Sequence, residues 1–288
     1  MLVLQGLEIM LLCVDIDKEK IKKINNSISP IYEDGLEDIL LKYKKNIKAT
    51  DDYNYAINNT EITFICVGTP SESDGGIDLS YVKEVTIKIA EVLKEKNDWH
   101  LVVVKSTVLP GTTRDIVLPL LEKRSGKKVG KEFGLAMNPE FLREGIAVND
   151  FLRPDRIIIG TYSDKSKEIL RELYEKFLCP LFETSLSAAE MIKYASNCFL
   201  ATKISFMNEI GNFCKKLEID SYEVADGMGL DNRIGRAFLD SGIGWGGSCF
   251  PKDLHALLAW AKKEKEKAKI IESVIELNDL QLSCLSNC

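Results

Sequence analysis

Five short apolar runs, at residues 10–14, 62–67, 101–104, 134–137 and 156–160, are continuous rather than alternating, and they constrain the fold more than any other feature. A strand with one face in water alternates apolar and polar residues. A strand buried on both faces is apolar throughout, as in parallel sheets covered by helices. Helix-like stretches at 18–25, 36–41, 81–94 and 113–123 separate the runs. Strand alternating with helix predicts an open, doubly wound α/β parallel sheet of Rossmann type. From about Ser185 the pattern changes. Residues 186–217 carry apolar side chains at helical spacing over a length well above that of an average helix, and further helices are read at 221–227, at 253–263 and from Lys269. The chain is therefore read as an α/β domain over 1–184 followed by an all-helical domain over 185–288.

Composition narrows the function. The 288 residues are 45% hydrophobic and 28% charged, which describes a soluble globular chain with ample core. A net charge of −6 argues against nucleic acid or an anionic membrane as a partner. No apolar run reaches the length of a membrane span, and residues 1–7 lack the basic start and cleavage site of a signal peptide. The eight cysteines (13, 66, 179, 198, 214, 249, 284 and 288) form no C-x-x-C pair, and two histidines make a metal cluster a poor reading. Reduced thiols in a cytoplasmic protein are expected.

The chemistry concentrates in Gly244-Trp245-Gly246-Gly247-Ser248-Cys249-Phe250-Pro251-Lys252-Asp253. Glycines bring backbone close to a ligand, and a cysteine displayed on such a loop beside a cation is suited to covalent catalysis. The competing reading is a turn around an inert, buried cysteine; three glycines and the Pro-Lys-Asp that follows favour a nucleophile. Lys193 and Asn197 lie i, i+4 on one helix face and could stabilise an oxyanion. Glu140 and Glu144, four residues apart just after an apolar run, could take protons, bind sugar hydroxyls or hold a water. Asp15 directly follows a strand, where an acid can bind both ribose hydroxyls of NAD and repel the extra phosphate of NADP; helix capping is its alternative role, which Asp17 fills better. Val67-Gly68-Thr69-Pro70 and Lys105-Ser106-Thr107 end two other strands, where ligands of such sheets bind.

Together these segments, with 28–33, 192–195 and the run Asn138-Pro139-Glu140-Phe141-Leu142-Arg143-Glu144-Gly145, resemble the nucleotide-sugar 6-dehydrogenases, in order from about Leu12 to Leu280. The Phe-Leu-Arg within that run is similar to the UDP-glucose branch, and GDP-mannose dehydrogenases share it. The resemblance implies oxidation of a sugar C6 alcohol to a uronate with two NAD, through a thiohemiacetal and a thioester on Cys249. It implies that Lys193 and Asn197 stabilise oxyanions, that Asp253 orients a water or the lysine, and that Glu140, Glu144 and Thr107 serve water activation and proton transfer. It places Asp15, Lys20, Thr69, Thr107, Glu144 and Lys252 against the cofactor. The sugar nucleotide falls to 140–144, Lys193, Asn197, Phe238, Leu239, Asp240, Ser241, Gly242 and Gly246. Residues 186–217 would form the seam of a homodimer.

Two departures set expectations of their own. Family members open with a strand and a G-x-G-x-x-G loop that cradles the NAD pyrophosphate, and nothing before Asp15 supplies it; residues 1–14 are read as the remains of a first helix and the second strand. They also continue into a UDP-holding third domain, whereas this chain stops at Cys288. The reading is of a family chain shortened at both ends. The alternatives to a UDP-glucose oxidoreductase are a dehydrogenase for GDP-mannose or a UDP-N-acetyl sugar, and a non-catalytic remnant that dimerises without binding NAD productively. A cysteine hydrolase would need a positioned histidine, for which only His255 is near in sequence.

Overall fold

The computed structural model describes residues 9–285, without the side chains of 282, 284 and 285. The readings of residues 1–8, Gly6 included, and of Cys284 and Cys288 lie outside what is described. The chain divides into two compact units, Met1–Thr69 with Leu79–Glu190, and Pro70–Asp78 with Met191–Cys288.

The first unit is α/β. It runs β1 (Leu11–Val14), α1 (Lys18–Asn25), α2 (Leu36–Lys42), β2 (Ile47–Thr50), α3 (Tyr53–Asn58), β3 (Ile62–Ile65), α4 (Ser80–Glu95), β4 (His100–Val104), a π-helical turn (Thr113–Val117) leading into α5 (Leu118–Ser125), β5 (Phe133–Met137), α6 (Ala147–Leu152), β6 (Ile157–Thr161), α7 (Asp164–Tyr174) and β7 (Leu181–Thr184). Strands β3-β4-β5-β6-β7 form one sheet, and β1 and β2 pair separately in parallel. Among the described residues no ladder joins β1 to β3.

The apolar runs read as β4 and β5 are buried along their whole length. Successive side chains on a strand point to opposite faces: Leu101 and Val103 pack with Leu170 and Tyr174 of α7, and Val102 and Val104 point the other way. Fully burying one such side chain contributes about 1.5–3 kcal/mol, so two-sided burial explains the absence of polar alternation. One strand departs from the parallel reading: β6 runs antiparallel to β5, paired through Ala136↔Thr161 and Met137↔Gly160. A parallel return needs a crossover along the sheet. The six residues of α6 rise only about 9 Å, too short to make it. Gly160 then lets α8 begin over β6, since a Cβ there would lie 2.6 Å from the Ser185 carbonyl oxygen and 2.9 Å from Leu186 Cα.

Helix α8 (Leu186–Leu217) has the bounds that the periodicity predicts, and the division between the units falls within it. The second unit continues with α9 (Ser221–Gly229), α10 (Phe250–Lys263) and α11 (Lys269–Leu285), and includes a short hairpin closed by an antiparallel bridge between Ser71 and Ile77. Helix α10 begins three residues before the predicted start, because Phe250-Pro251 occupies its first turn, where a missing N–H costs nothing.

His100, the first residue of β4, is fully buried. Its Nδ1–H donates to Thr60 O at 3.1 Å and its Nε2 lies 2.8 Å from the Thr63 hydroxyl. Burial, aided by the nearby Lys96 ammonium, pushes its pKa down from 6.5 to about 4. The unfolded imidazole therefore binds its proton at a higher pH than the folded one. Stability is lost as pH falls from about 6.5 toward 4, by roughly 3 kcal/mol in total. Urea unfolding across that range checks this: the wild type should lose stability, and a His100→Asn variant should show a correspondingly flatter profile.

Candidate active site

The predicted site residues fall into two groups. Asp15, Lys20, Thr69, Thr107 and Glu140 to Glu144 lie in the first unit; Lys193, Asn197, Phe238 to Gly242, Gly246, Cys249, Lys252 and Asp253 lie in the second.

In the second unit the glycine loop turns through two left-handed residues, Gly244 (φ 115°) and Gly247 (φ 78°), and delivers Cys249 to the N-cap position of α10. The amide dipoles of a helix favour negative charge at that end, and Cys249 is only partly buried there. Asp253, in the first turn of the same helix, is 1% exposed. Its Oδ1 accepts from Lys252 Nζ at 2.7 Å and its Oδ2 from Asn197 Nδ2 at 2.6 Å. Three predicted residues are thereby joined, and the buried carboxylate carries a cation and an amide donor. Lys193, one turn before Asn197, is buried on α8 as well. Cys198, beside Asn197, is a core thiol: burial and then the Asp253 carboxylate push its pKa up to about 12. His255 is exposed on α10 at i+6 from Cys249, on a different face of the helix, which offers a cysteine hydrolase no general base.

The loop assigned to the sugar nucleotide is pinned by its own side chains. Arg236 bridges Asp226 of α9 and Asp240 at 2.5 and 2.6 Å. Phe238 adopts a left-handed φ of 65°, a conformation that costs free energy in a bulky residue and tends to occur at functional sites. Leu239 is buried with Met207 and Ala225, and the Ser241 hydroxyl lies 2.7 Å from that of Ser221. The Gly242 N–H donates to Asn208 Oδ1 at 2.7 Å. A Cβ at Gly246 would meet nothing within 4 Å, so backbone there is open to a ligand.

In the first unit the motif residues lace the carboxyl ends of the strands together. The Thr69 hydroxyl donates to Thr107 O at 2.9 Å, and that of Ser106 to Val67 O at 2.6 Å. Lys105 Nζ donates to Asn138 Oδ1 at 2.9 Å; the same oxygen accepts from the Tyr174 hydroxyl at 2.6 Å, and Asn138 Nδ2 donates to Ile158 O at 2.8 Å. Thr69, read as a cofactor contact, has its proton engaged and offers a ligand acceptor lone pairs. The Phe-Leu-Arg run also has internal partners. Arg156 lies over the Phe141 ring at 4.3 Å, Leu142 packs against the core pair Ile39 and Phe151, and Asp150 takes Arg143 Nη2 and Nε at 2.6 and 2.9 Å. Glu140 accepts the Leu142 N–H through Oε1, and Glu144 is exposed.

Asp15 stands immediately beyond β1. Its Oδ1 accepts the Asp17 N–H at 2.9 Å, Lys20 Nζ is 3.9 Å from its Oδ2, and Asp17 caps α1 as expected. An acid in this place, with lone pairs to spare, fits the adenosine ribose of NAD.

Two carboxylates escaped the sequence reading. Glu190 is fully buried and accepts from the Gly111 and Thr113 N–H groups at 2.6 and 2.7 Å, fastening the segment that follows Thr107; burial pushes its pKa up. Glu33 accepts from Gly145 and Ala147 N–H at 3.1 and 2.7 Å, fastening the segment after Glu144. The signal for Glu190 was a charged residue on the buried stripe of α8, beside Leu186 and Ala189. Glu33 ends the 28–33 segment that carries the resemblance, but its partners lie more than a hundred residues away in sequence, so its fastening role was not legible.

Similarity to known proteins accords with this arrangement. "UDP-glucose 6-dehydrogenase AglM" of Haloferax volcanii is 46% identical over 274 residues, covering 93% of this chain and 64% of that protein. A "GDP-mannose 6-dehydrogenase" of Pseudomonas syringae pv. tomato is 42% identical, covering 93% and 62%. The solved structure of a UDP-glucose dehydrogenase from Pyrobaculum islandicum superimposes with a TM-score of 0.89 at 39% identity, covering 93% of this chain and 62% of that one. The chain thus spans less than two thirds of the length of these relatives. Residues 1–178 match the NAD binding domain of the UDP-glucose/GDP-mannose dehydrogenase family and residues 187–280 match its central domain, and the chain belongs to that family.

Proposed function

We propose that this chain carries the chemistry of an NAD-dependent nucleotide-sugar 6-dehydrogenase that oxidises the C6 alcohol of UDP-glucose to the carboxylate. The observation that carries the reading is Cys249, partly open at the N-terminus of α10, with Asp253 one turn on held by Lys252 and Asn197. Asp15 and Lys20 would hold NAD at its ribose, and NAD, two molecules per turnover, would supply the hydride acceptor for each oxidation. The chain's own groups do the rest. A base takes the hydroxyl proton of C6 in the first oxidation. The Cys249 sulfur then adds to the aldehyde carbon, and Lys193 and Asn197 stabilise the charge that develops on the carbonyl oxygen. The thiol proton ends on that oxygen as a thiohemiacetal hydroxyl, which gives it up to a base as the carbon loses its second hydride. Holding the aldehyde covalently prevents its escape and keeps the same carbon in place for the second oxidation. The resulting thioester is opened by water, which frees the thiol; Asp253 is assigned orientation of a water or the lysine, and Glu140, Glu144 and Thr107 are assigned water activation and proton transfer. UDP-glucose is favoured over GDP-mannose by the somewhat higher identity to the relative bearing the former name, 46% against 42%. The reading is also of a cytoplasmic protein with reduced thiols.

The partner is a second copy of the chain. Phe199, Phe206 and Phe213 recur every seven residues along α8 and are 65%, 45% and 53% exposed. A heptad stripe of aromatics on a 32-residue helix is self-complementary about a two-fold axis, and apolar surface of that size is normally covered.

Purified chain mixed with NAD and UDP-glucose should form two NADH per uronate, followed by absorbance and mass spectrometry. Cys249→Ser should abolish uronate, at least a thousandfold down, while NAD affinity measured by calorimetry stays unchanged. Uronate formation at the original rate by the serine variant would overturn the thioester route. In light scattering the wild type should be a dimer and Phe206→Glu a monomer; a dimer that persists in the variant would overturn the α8 seam.

A further inference from the structure

The loop that ends in Cys249 is gripped by α11 and α8. Asn278 of α11 is 5% exposed and pairs with both backbone groups of Trp245, accepting its N–H at 2.7 Å and donating to its carbonyl at 3.1 Å. A side-chain amide thus does for this loop what a neighbouring strand would do. Gly244 is required for the approach, since a Cβ there would lie 2.6 Å from Asn278 Oδ1. The Trp245 indole is buried, and its Nε1–H donates to Ser205 Oγ at 2.9 Å; the Ser205 hydroxyl donates in turn to Val274 O at 3.1 Å, one turn before Asn278. The far side of the ring meets Phe250, the residue after Cys249, edge to face at 6.4 Å. Upstream, Gly242 donates to Asn208 Oδ1 and its carbonyl accepts from Gln281 Nε2, each at 2.7 Å.

Asn278 lies on the same buried stripe as Val274 and Ile275. Stability alone would favour an apolar side chain there, because a buried amide must recover its desolvation through well-made hydrogen bonds. All the bonds recorded for it go to one residue of the nucleophile loop. We infer that Asn278 is a positioning residue of the active site, which through Trp245 sets the backbone that presents Cys249. This rests on the reading of Cys249 as nucleophile, but its test does not.

The test is hydrogen exchange on the full chain, with Asn278→Leu, which keeps volume and suits the stripe but removes both bonds. The Trp245 amide should exchange at least about fivefold faster, with α10 and the rest of α11 unchanged, and the rate of Cys249 alkylation by iodoacetamide should shift. With substrate present, kcat should fall while KM for the nucleotide sugar holds. Exchange and alkylation as in the wild type would overturn the proposal, whatever the turnover. Should the leucine variant not fold, Asn278→Ala, which removes the same two bonds without adding bulk, decides the same point: faster exchange over 242–248 supports the grip, and unchanged exchange overturns it. A normal effect of Asn278→Leu on exchange and alkylation beside full uronate formation by Cys249→Ser would instead reject the nucleophile and leave the grip standing.

Discussion

The burial of Asp253 is the constraint on which the second unit turns. A carboxylate at 1% exposure with no partner would cost several kcal/mol, and removing one partner of a buried pair costs about 3–5 kcal/mol. Lys252 and Asn197 close that deficit. Because Asn197 sits on α8 and Asp253 in the first turn of α10, the bond between them ties the start of α10 to α8 and with it the place where Cys249 is presented. Electrostatic need and nucleophile placement are one arrangement.

The same economy holds in the first unit. Residues that a motif search assigns to ligands are first of all fasteners. Lys105, Ser106, Thr69 and Asn138 tie the ends of β3, β4, β5 and β6 to one another, and Glu190 and Glu33 hold the segments beyond Thr107 and Glu144. Loops at strand ends have few apolar contacts of their own, so precise placement has to come from hydrogen bonds. Charge-assisted bonds to carboxylates, shorter and stronger than neutral ones, suit that task.

Much of this was legible in the sequence, for physical reasons. Burial on both faces makes β4 and β5 apolar throughout, and a 3.6-residue repeat fixes α8 to the residue. The helix-starting Asp17 is a capping side chain in a turn. By contrast, β2 and β7 are four residues each and partly exposed, so neither periodicity nor composition marks them. The antiparallel sense of β6 depends on the path of a connection rather than on the strand itself. For the site, residue types were legible but internal partners were not: Arg143, which the resemblance gives to the sugar nucleotide, has Asp150 across its fork. Asn278 left a trace, a polar residue on an apolar stripe, while its target Trp245 is 33 residues away and only the fold shows it.

The fold presents Cys249 at the start of α10 and buries the nearby Cys198 on α8. The most direct test of that arrangement is the order in which the cysteines of the folded, reduced chain are alkylated by iodoacetamide, followed peptide by peptide in the mass spectrometer. Cys249, partly buried, should be modified in the folded chain, and Cys198, buried beside Asp253, should react only after unfolding. A folded chain in which Cys198 reacts as fast as Cys249, or in which Cys249 stays unmodified, would contradict it.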